Sequence, residues 1–209
     1  IDSSGDLSDW QAAHRIEKAF MPFTPVSKGE PFLRGDLYMA WGRDGLYVAV
    51  QVFTNPKEIV GHLQDRDRPQ GGQDSVVVFV DPQGKGHSAL VLGVNSRNVQ
   101  TDSSYVEGGM SESSFDMIWD SGTAITGDGW VAKFRIPFSS IRRSPEAWNL
   151  GVNLYFNRGG VSYSLAYPQN YYDIQCNICQ TVKVSGAPVK NNAGVFMVAP
   201  RFYQERIAS

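Results

Sequence analysis

Between Asp36 and Tyr167 the chain is divided into short apolar or alternating runs by turn residues, with no long amphipathic run among them. Turn signals at intervals of about 8–12 residues are the rhythm of a β-sandwich, whereas an α/β fold would alternate strands with helical patterns. The best-marked part runs from Arg66 to Phe138. An acidic, glycine-rich loop enters the apolar run Ser75–Val80, which stops at the turn Asp81-Pro82. Ala89–Val94 follows as an antiparallel partner, and an Asn-containing connection leads to Asp102 and Trp119-Asp120. Gly129–Ile136 then alternates cleanly, with Trp130, Ala132, Phe134 and Ile136 on one face and Val131, Lys133 and Arg135 on the other. Pro137 ends that ladder because it has no N–H to contribute.

The flanking segments extend the pattern. Leu37–Trp41 and Leu46–Phe53 flank Arg43-Asp44-Gly45, a hairpin signal in which Gly45 is expected to supply a positive φ. Trp148–Phe156 and Ser162–Tyr167 form a last strand pair around Arg158-Gly159-Gly160. Residues 1–35 are irregular and rich in Pro, and are expected to wrap the sandwich as an edge strand and loops. Residues 55–73 read as a polar connection with a short helical turn around Glu58–Leu63, residues 103–114 as an exposed loop, and Ser139–Arg143 as one helical turn. The fold class is therefore all-β, an antiparallel β-sandwich of jelly-roll or immunoglobulin-like type with about ten strands. The domain spans 1–186; residues 187–209 read as a linker followed by a separate extended segment.

Net charge is −2, from 19 basic and 21 acidic residues, so nothing favours nucleic acid or an anionic membrane surface as a partner. No apolar run approaches the ~20 residues of a membrane helix. The opening Ile1-Asp2 reads as if cut from a precursor or a longer chain, so it does not argue for the cytoplasm. The only cysteines are Cys176 and Cys179. Zinc would need a second ligand pair, and His14, His62 and His87 are scattered. Covalent haem would need His where Gln180 stands, and a redox CxxC would need a βαβ setting. A small loop-closing disulfide is the expected state, which implies an oxidising compartment.

One resemblance draws these pieces together. The start Ile1-Asp2 through Asp6-Leu7 and Asp9-Trp10, Ala40-Trp41 followed by Leu46–Val50, Arg66-Asp67, Asp74 through Asp81-Pro82, Trp119-Asp120, and Gly129-Trp130 through Arg142 resemble family-9 carbohydrate-binding modules of the DOMON-like superfamily. The likeness is to the subgroup placed ahead of a predicted outer-membrane β-barrel in bacterial surface proteins, and it covers residues 1–186. It implies a β-sandwich, sugar binding without catalysis, calcium in some members, and a periplasmic, cell-surface or secreted location. Characterised members clamp the sugar between two tryptophans, a pair that is not assignable here. Trp119 is one candidate, while Trp10, Trp41, Trp130 and Trp148 read as core.

Sugar recognition needs an aromatic face for the apolar side of a pyranose and planar polar groups for its hydroxyls. Trp119, Tyr105, Tyr171 and Tyr172 are the aromatic candidates, with Arg66, Asn95 and Gln100 as polar contacts; Asp67 could add another. Asp65, Asp67, Asp74 and Asp102 could hold a structural calcium ion, which takes six to eight oxygens. No glycosidase signature accompanies these acids. Two other classes of function stay open. One is b-type haem held by Met with His or Lys, for which Met39, Met110, Met117, His62 and His87 are available. The other is an interaction module without a small ligand, attached to an outer-membrane barrel.

Overall fold

The computed structural model describes residues 1–24, 33–68, 71–109, 111–141, 147–171, 174–187 and 201–203. Thirteen strands among them form two antiparallel sheets packed face to face: β1 (His14–Ile16), β2 (Met21–Thr24), β3 (Arg34–Trp41), β4 (Gly45–Phe53), β5 (Ser75–Asp81), β6 (Ser88–Asn95), β7 (Gln100–Val106), β8 (Asp120–Thr126), β9 (Gly129–Pro137), β10 (Ala147–Arg158), β11 (Val161–Tyr167), β12 (Val182–Ser185) and β13 (Arg201–Tyr203). The smaller sheet has the order β1-β3-β4-β9-β8. The larger runs β13-β12-β10-β5-β6-β7, with β11 on β10 and β2 on β11. The long strand β10 makes this branching possible: one edge pairs with β5, while the other takes β12 along 147–150 and β11 along 152–158.

The inward residues follow from period-2 alternation. Val76, Val78 and Val80 of β5 face Val48, Val50, Phe134 and their neighbours in one continuous core that also holds Leu92, Leu150 and Leu154. Trp41, Trp130 and Trp148 are buried as expected; Trp41 meets Trp148 edge-on with ring centres 4.9 Å apart. The Trp41 indole N–H donates to the Ser185 carbonyl at 2.9 Å, tying the two sheets together through a polar atom that burial would otherwise leave without a partner. Trp10 packs in a second, smaller cluster with Tyr38 and Ala49 on the outer face of the five-stranded sheet.

Local details differ from the sequence reading in physically clear ways. Residues 103–106 are strand, because β7 reaches Val106 as a mostly polar edge strand. The turn expected around Glu58–Leu63 is a 3-10 turn at Pro56–Glu58, capped by the Asn55 side chain; the one near Ser139 is a 3-10 turn at Phe138–Ser140. Gly45 does not adopt a positive φ. Its missing side chain matters for another reason: a Cβ there would collide with the Ile136 carbonyl of the neighbouring strand β9. The irregular N-terminus supplies β1 to one sheet and β2 to the other. Before β1 it is held across the smaller sheet by Lys133, whose ammonium reaches Asp2 Oδ1 (2.5 Å), Ser4 Oγ (3.4 Å) and the Asp6 carbonyl (2.7 Å). At the other terminus, Arg201–Tyr203 pairs with β12; residues 188–200 and 204–209 of the expected linker and tail lie outside the described residues.

Cys176 and Cys179 are joined by a disulfide. It closes a loop that Gln180 organises: its Nε2 donates to the carbonyls of Tyr171, Ile174 and Cys176, and its Oε1 accepts from the Tyr171 N–H at 2.6 Å. Glu107 accepts the N–H groups of Asn177 (3.0 Å) and Ile178 (2.8 Å), docking this loop beside the end of β7.

Candidate functional site

Several expected site residues converge at one end of the sandwich, around the β6–β7 turn and the loop before β5. Asn95 builds that turn. Its Oδ1 accepts the N–H groups of Arg97 and Val99, both at 2.9 Å, and its Nδ2 donates to the His62 carbonyl and Gln73 Oε1, also at 2.9 Å. With all four bonds made and the residue buried, Asn95 shapes the site. Gln100 Nε2 donates to the Trp119 carbonyl (3.3 Å) and Ser121 Oγ (3.0 Å), bridging β7 to β8.

Beside it the sandwich edge is closed by a polar knot. Asp102 has a fully buried side chain and accepts from Arg66 Nη2 (2.5 Å), the Met117 N–H (2.6 Å) and the Trp119 indole N–H (3.3 Å). Arg66 also lies 3.1 Å from Asp116 and 3.3 Å from Asp67. Burial works against its charge, but the hydrogen bond to Asp102 and the three carboxylate charges hold the guanidinium above its ordinary pKa. Trp119, expected to face a ligand, is instead 4 % exposed and stacks on Phe134 with ring centres 5.5 Å apart. It fills the gap where the edges of the two sheets part, and borders a cleft only at the margin.

Two clefts adjoin this knot. The first, of about 340 Å³, lies on the outer face of the larger sheet. Its floor is the cross-strand row Thr101–Gly93–Val77, with Ser75 and Tyr155 in the next row. Gly93 opens the floor, because even a methyl there would meet Thr101 Oγ1 at 2.5 Å. Tyr155 supplies aromatic surface, and Gln64, Gln73 and Ser162 supply amide and hydroxyl groups, while the Tyr163 ring turns inward and stacks on Phe156. Asn153 donates to the Tyr155 hydroxyl at 3.1 Å and fixes its direction. The second cleft, of about 680 Å³, is open and polar, lined by Arg66, Arg97, Asn98, Gln100, Trp119 and Asp120 among others.

The remaining expected residues lie apart from both clefts. Tyr105 sits at the far end of β7, where its hydroxyl donates to Glu107 and accepts from Asn177. Tyr171 is half exposed ahead of the disulfide loop; Tyr172 lies outside the described residues. Asp74 is buried and bidentate with Arg158, at 2.9 and 3.0 Å. Asp65 is exposed near Arg68. Of the haem candidates, Met39 and Met117 are buried in the core, His62 and His87 are exposed on loops, and Met110 lies outside the described residues.

Gln64, Gln73, Gly93, Arg97, Thr101, Tyr155 and Tyr163 were not anticipated. One signal was available for Tyr155: it takes the opposite phase to Leu150, Val152, Leu154 and Phe156, which places it on the outer face.

Asp67, Asp102 and Asp116 bring carboxylate oxygens within 4.8 Å of one another. Calcium asks for a shell made of oxygens, yet the Arg66 guanidinium already lies within 2.5–3.3 Å of all three acids and supplies their positive charge. These residues therefore do not fit the ion.

The fold has known counterparts. A family-9 carbohydrate-binding module from Caldicellulosiruptor kristjanssonii, in complex with cellotriose, superposes with a TM-score of 0.65 at 14 % identity, covering 93 % of this chain and 92 % of that one. The same organism's family-9 module in complex with glucose gives a TM-score of 0.64 at 15 % identity, covering 91 % and 93 %. A structure named as a candidate carbohydrate-binding protein from Bacteroides uniformis gives 0.66 at 10 % identity, covering 86 % and 88 %. No protein-family model and no curated protein matches this sequence. The chain thus has the fold of family-9 carbohydrate-binding modules.

Proposed function

We propose that the domain is a non-catalytic saccharide-binding module whose ligand lies in the cleft on the outer face of the larger sheet. The observation that carries this reading is the make-up of that cleft. The glycine-opened floor at Gly93 and the ring of Tyr155 offer apolar contact, and Gln64, Gln73, Thr101 and Ser162 offer donors and acceptors around it. A pyranose needs that combination, an apolar C–H face against carbon and hydroxyls against amides. The shared fold with modules solved in complex with cellotriose and glucose supports the same reading. An extracytoplasmic location suits both a polysaccharide ligand and the Cys176–Cys179 disulfide. The domain would hold the sugar and leave its bonds intact.

Calorimetric titration with soluble oligosaccharides tests this, with and without a chelator. Saturable binding unchanged by the chelator, with the oligosaccharide recovered uncleaved, is the expected result. Absence of binding across the panel would overturn the reading, and dependence on a divalent cation would overturn the account of the Arg66 knot.

A further inference from the structure

The two clefts meet at Gln64 and Val99, which line both. A ligand longer than the outer-face cleft can therefore turn around the β6–β7 turn into the polar cleft. The charged groups there differ in what they already do. Arg66 is committed to Asp102, Asp116 and Asp67, and Asp120 is paired with Arg135. Arg97 is exposed, and its guanidinium makes no ion pair or hydrogen bond among the described residues; only its backbone is fixed, by Asn95 Oδ1 at 2.9 Å. Among its side chains the polar cleft thus presents in Arg97 an uncommitted positive charge on a planar fork of donors, the geometry that receives a carboxylate or a sulfate through paired hydrogen bonds.

We infer that the preferred ligand is an acidic oligosaccharide: a neutral unit occupies the outer-face cleft, and the adjoining unit carries an anionic group that Arg97 reads. This rests on the saccharide reading above and names the class of ligand within it.

The test is titration of the chain with oligosaccharides of matched length and linkage, one neutral, one bearing a uronate and one bearing a sulfate ester, against wild type and Arg97→Gln. The expected result is that at least one acidic ligand binds about tenfold tighter than its neutral counterpart. That preference should shrink as ionic strength rises from about 0.01 M to about 1 M, where screening shortens from ~30 Å to ~3 Å. Arg97→Gln should bring the ratio of acidic to neutral affinity close to one. A preference confined to the uronate arm identifies a carboxylate, and one confined to the sulfate arm identifies a sulfate. Equal affinities in wild type would overturn the inference while leaving neutral saccharide binding in place. An acidic preference that survives Arg97→Gln would overturn the assignment to Arg97. Failure of every oligosaccharide to bind would overturn the saccharide reading itself, and so is distinguishable from either.

Discussion

Arg66 and Asp102, 36 positions apart, meet at 2.5 Å on the edge of the sandwich, the carboxylate fully buried and the guanidinium partly in solvent. The pair sets the border between core and candidate site, because the same carboxylate holds the Met117 N–H and the Trp119 indole. Removing the buried acid strands a partly buried cation and two donors. Asp102→Ala is expected to cost about 3–5 kcal/mol. Arg66→Ala leaves that fully buried carboxylate without its counter-charge and should cost a similar amount, about 3–5 kcal/mol. Denaturant midpoints of the two variants check both values; small losses would contradict this picture of the knot.

Acid stability follows from the carboxylates held below their usual value of 3.8. For Asp44, burial pushes the pKa up, but hydrogen bonds from Arg135 and Tyr47 and the Arg135 charge more than offset it. Asp2 is lowered chiefly by its hydrogen bond from Lys133, then by Ser4. Because the folded pKa lies below the unfolded one, the native state binds fewer protons, and stability rises with pH through this range. The contribution is therefore complete above the usual carboxylate value and is lost as pH falls through the lowered ones. Thermal midpoints should drop below about pH 4, and Asp44→Asn should flatten that drop by a small amount, within the ~0–1 kcal/mol of an exposed pair. A pH profile identical to wild type would show that Asp44 contributes nothing.

The disulfide closes a loop of sequence separation 3, so its effect on unfolded-chain entropy is small. Loop-closure arithmetic sets a ceiling of about 2 kcal/mol. Gln180 and Glu107 still hold the segment when the bond is reduced. Unfolding with and without reductant should differ by no more than that ceiling, and global unfolding on reduction would contradict it.

Gly93 should separate binding from folding. It lies within a strand, where β-branched residues are favoured, and the obstacle is the Thr101 hydroxyl, 2.5 Å from where a Cβ would stand. Gly93→Val is expected to fill the cleft floor and lower saccharide affinity more than tenfold, at a stability cost of about 1–3 kcal/mol that leaves the fold intact. Titration and thermal melting of the same sample test this.

Strands were legible wherever alternation or a turn residue marked them, as in Gly129–Ile136 or around Asp81, whose side chain caps the turn by accepting from Gln83, Gly84 and Gly86. Strand β7 was not wholly legible, because an edge strand written QTDSSYV carries no apolar phase. Arg66, Asn95 and Gln100 came out beside the clefts because turn-forming and loop residues cluster at sandwich ends. Trp119 was read as a ligand platform because an aromatic next to an acid in a loop looks exposed; only the packing of β8 against β9 shows Phe134 beneath it. Asp74 reads from sequence as a calcium candidate, because the partner it is bidentate with, Arg158, is 84 positions away. Gly93 and Tyr155 stayed hidden because an outward residue on a strand reads the same whether it meets water or a ligand.

A saccharide bound on the outer face of the larger sheet would lie against Tyr155. Titration of wild type and Tyr155→Ala with a panel of oligosaccharides, alongside their melting curves, is the measurement. Saturable binding by wild type is expected, with at least a tenfold loss in Tyr155→Ala from the ~1.5–3 kcal/mol that burying a large side chain contributes, and with the fold retained. Wild-type binding that Tyr155→Ala leaves intact would move the site elsewhere, and no binding by the wild type would contradict the function itself.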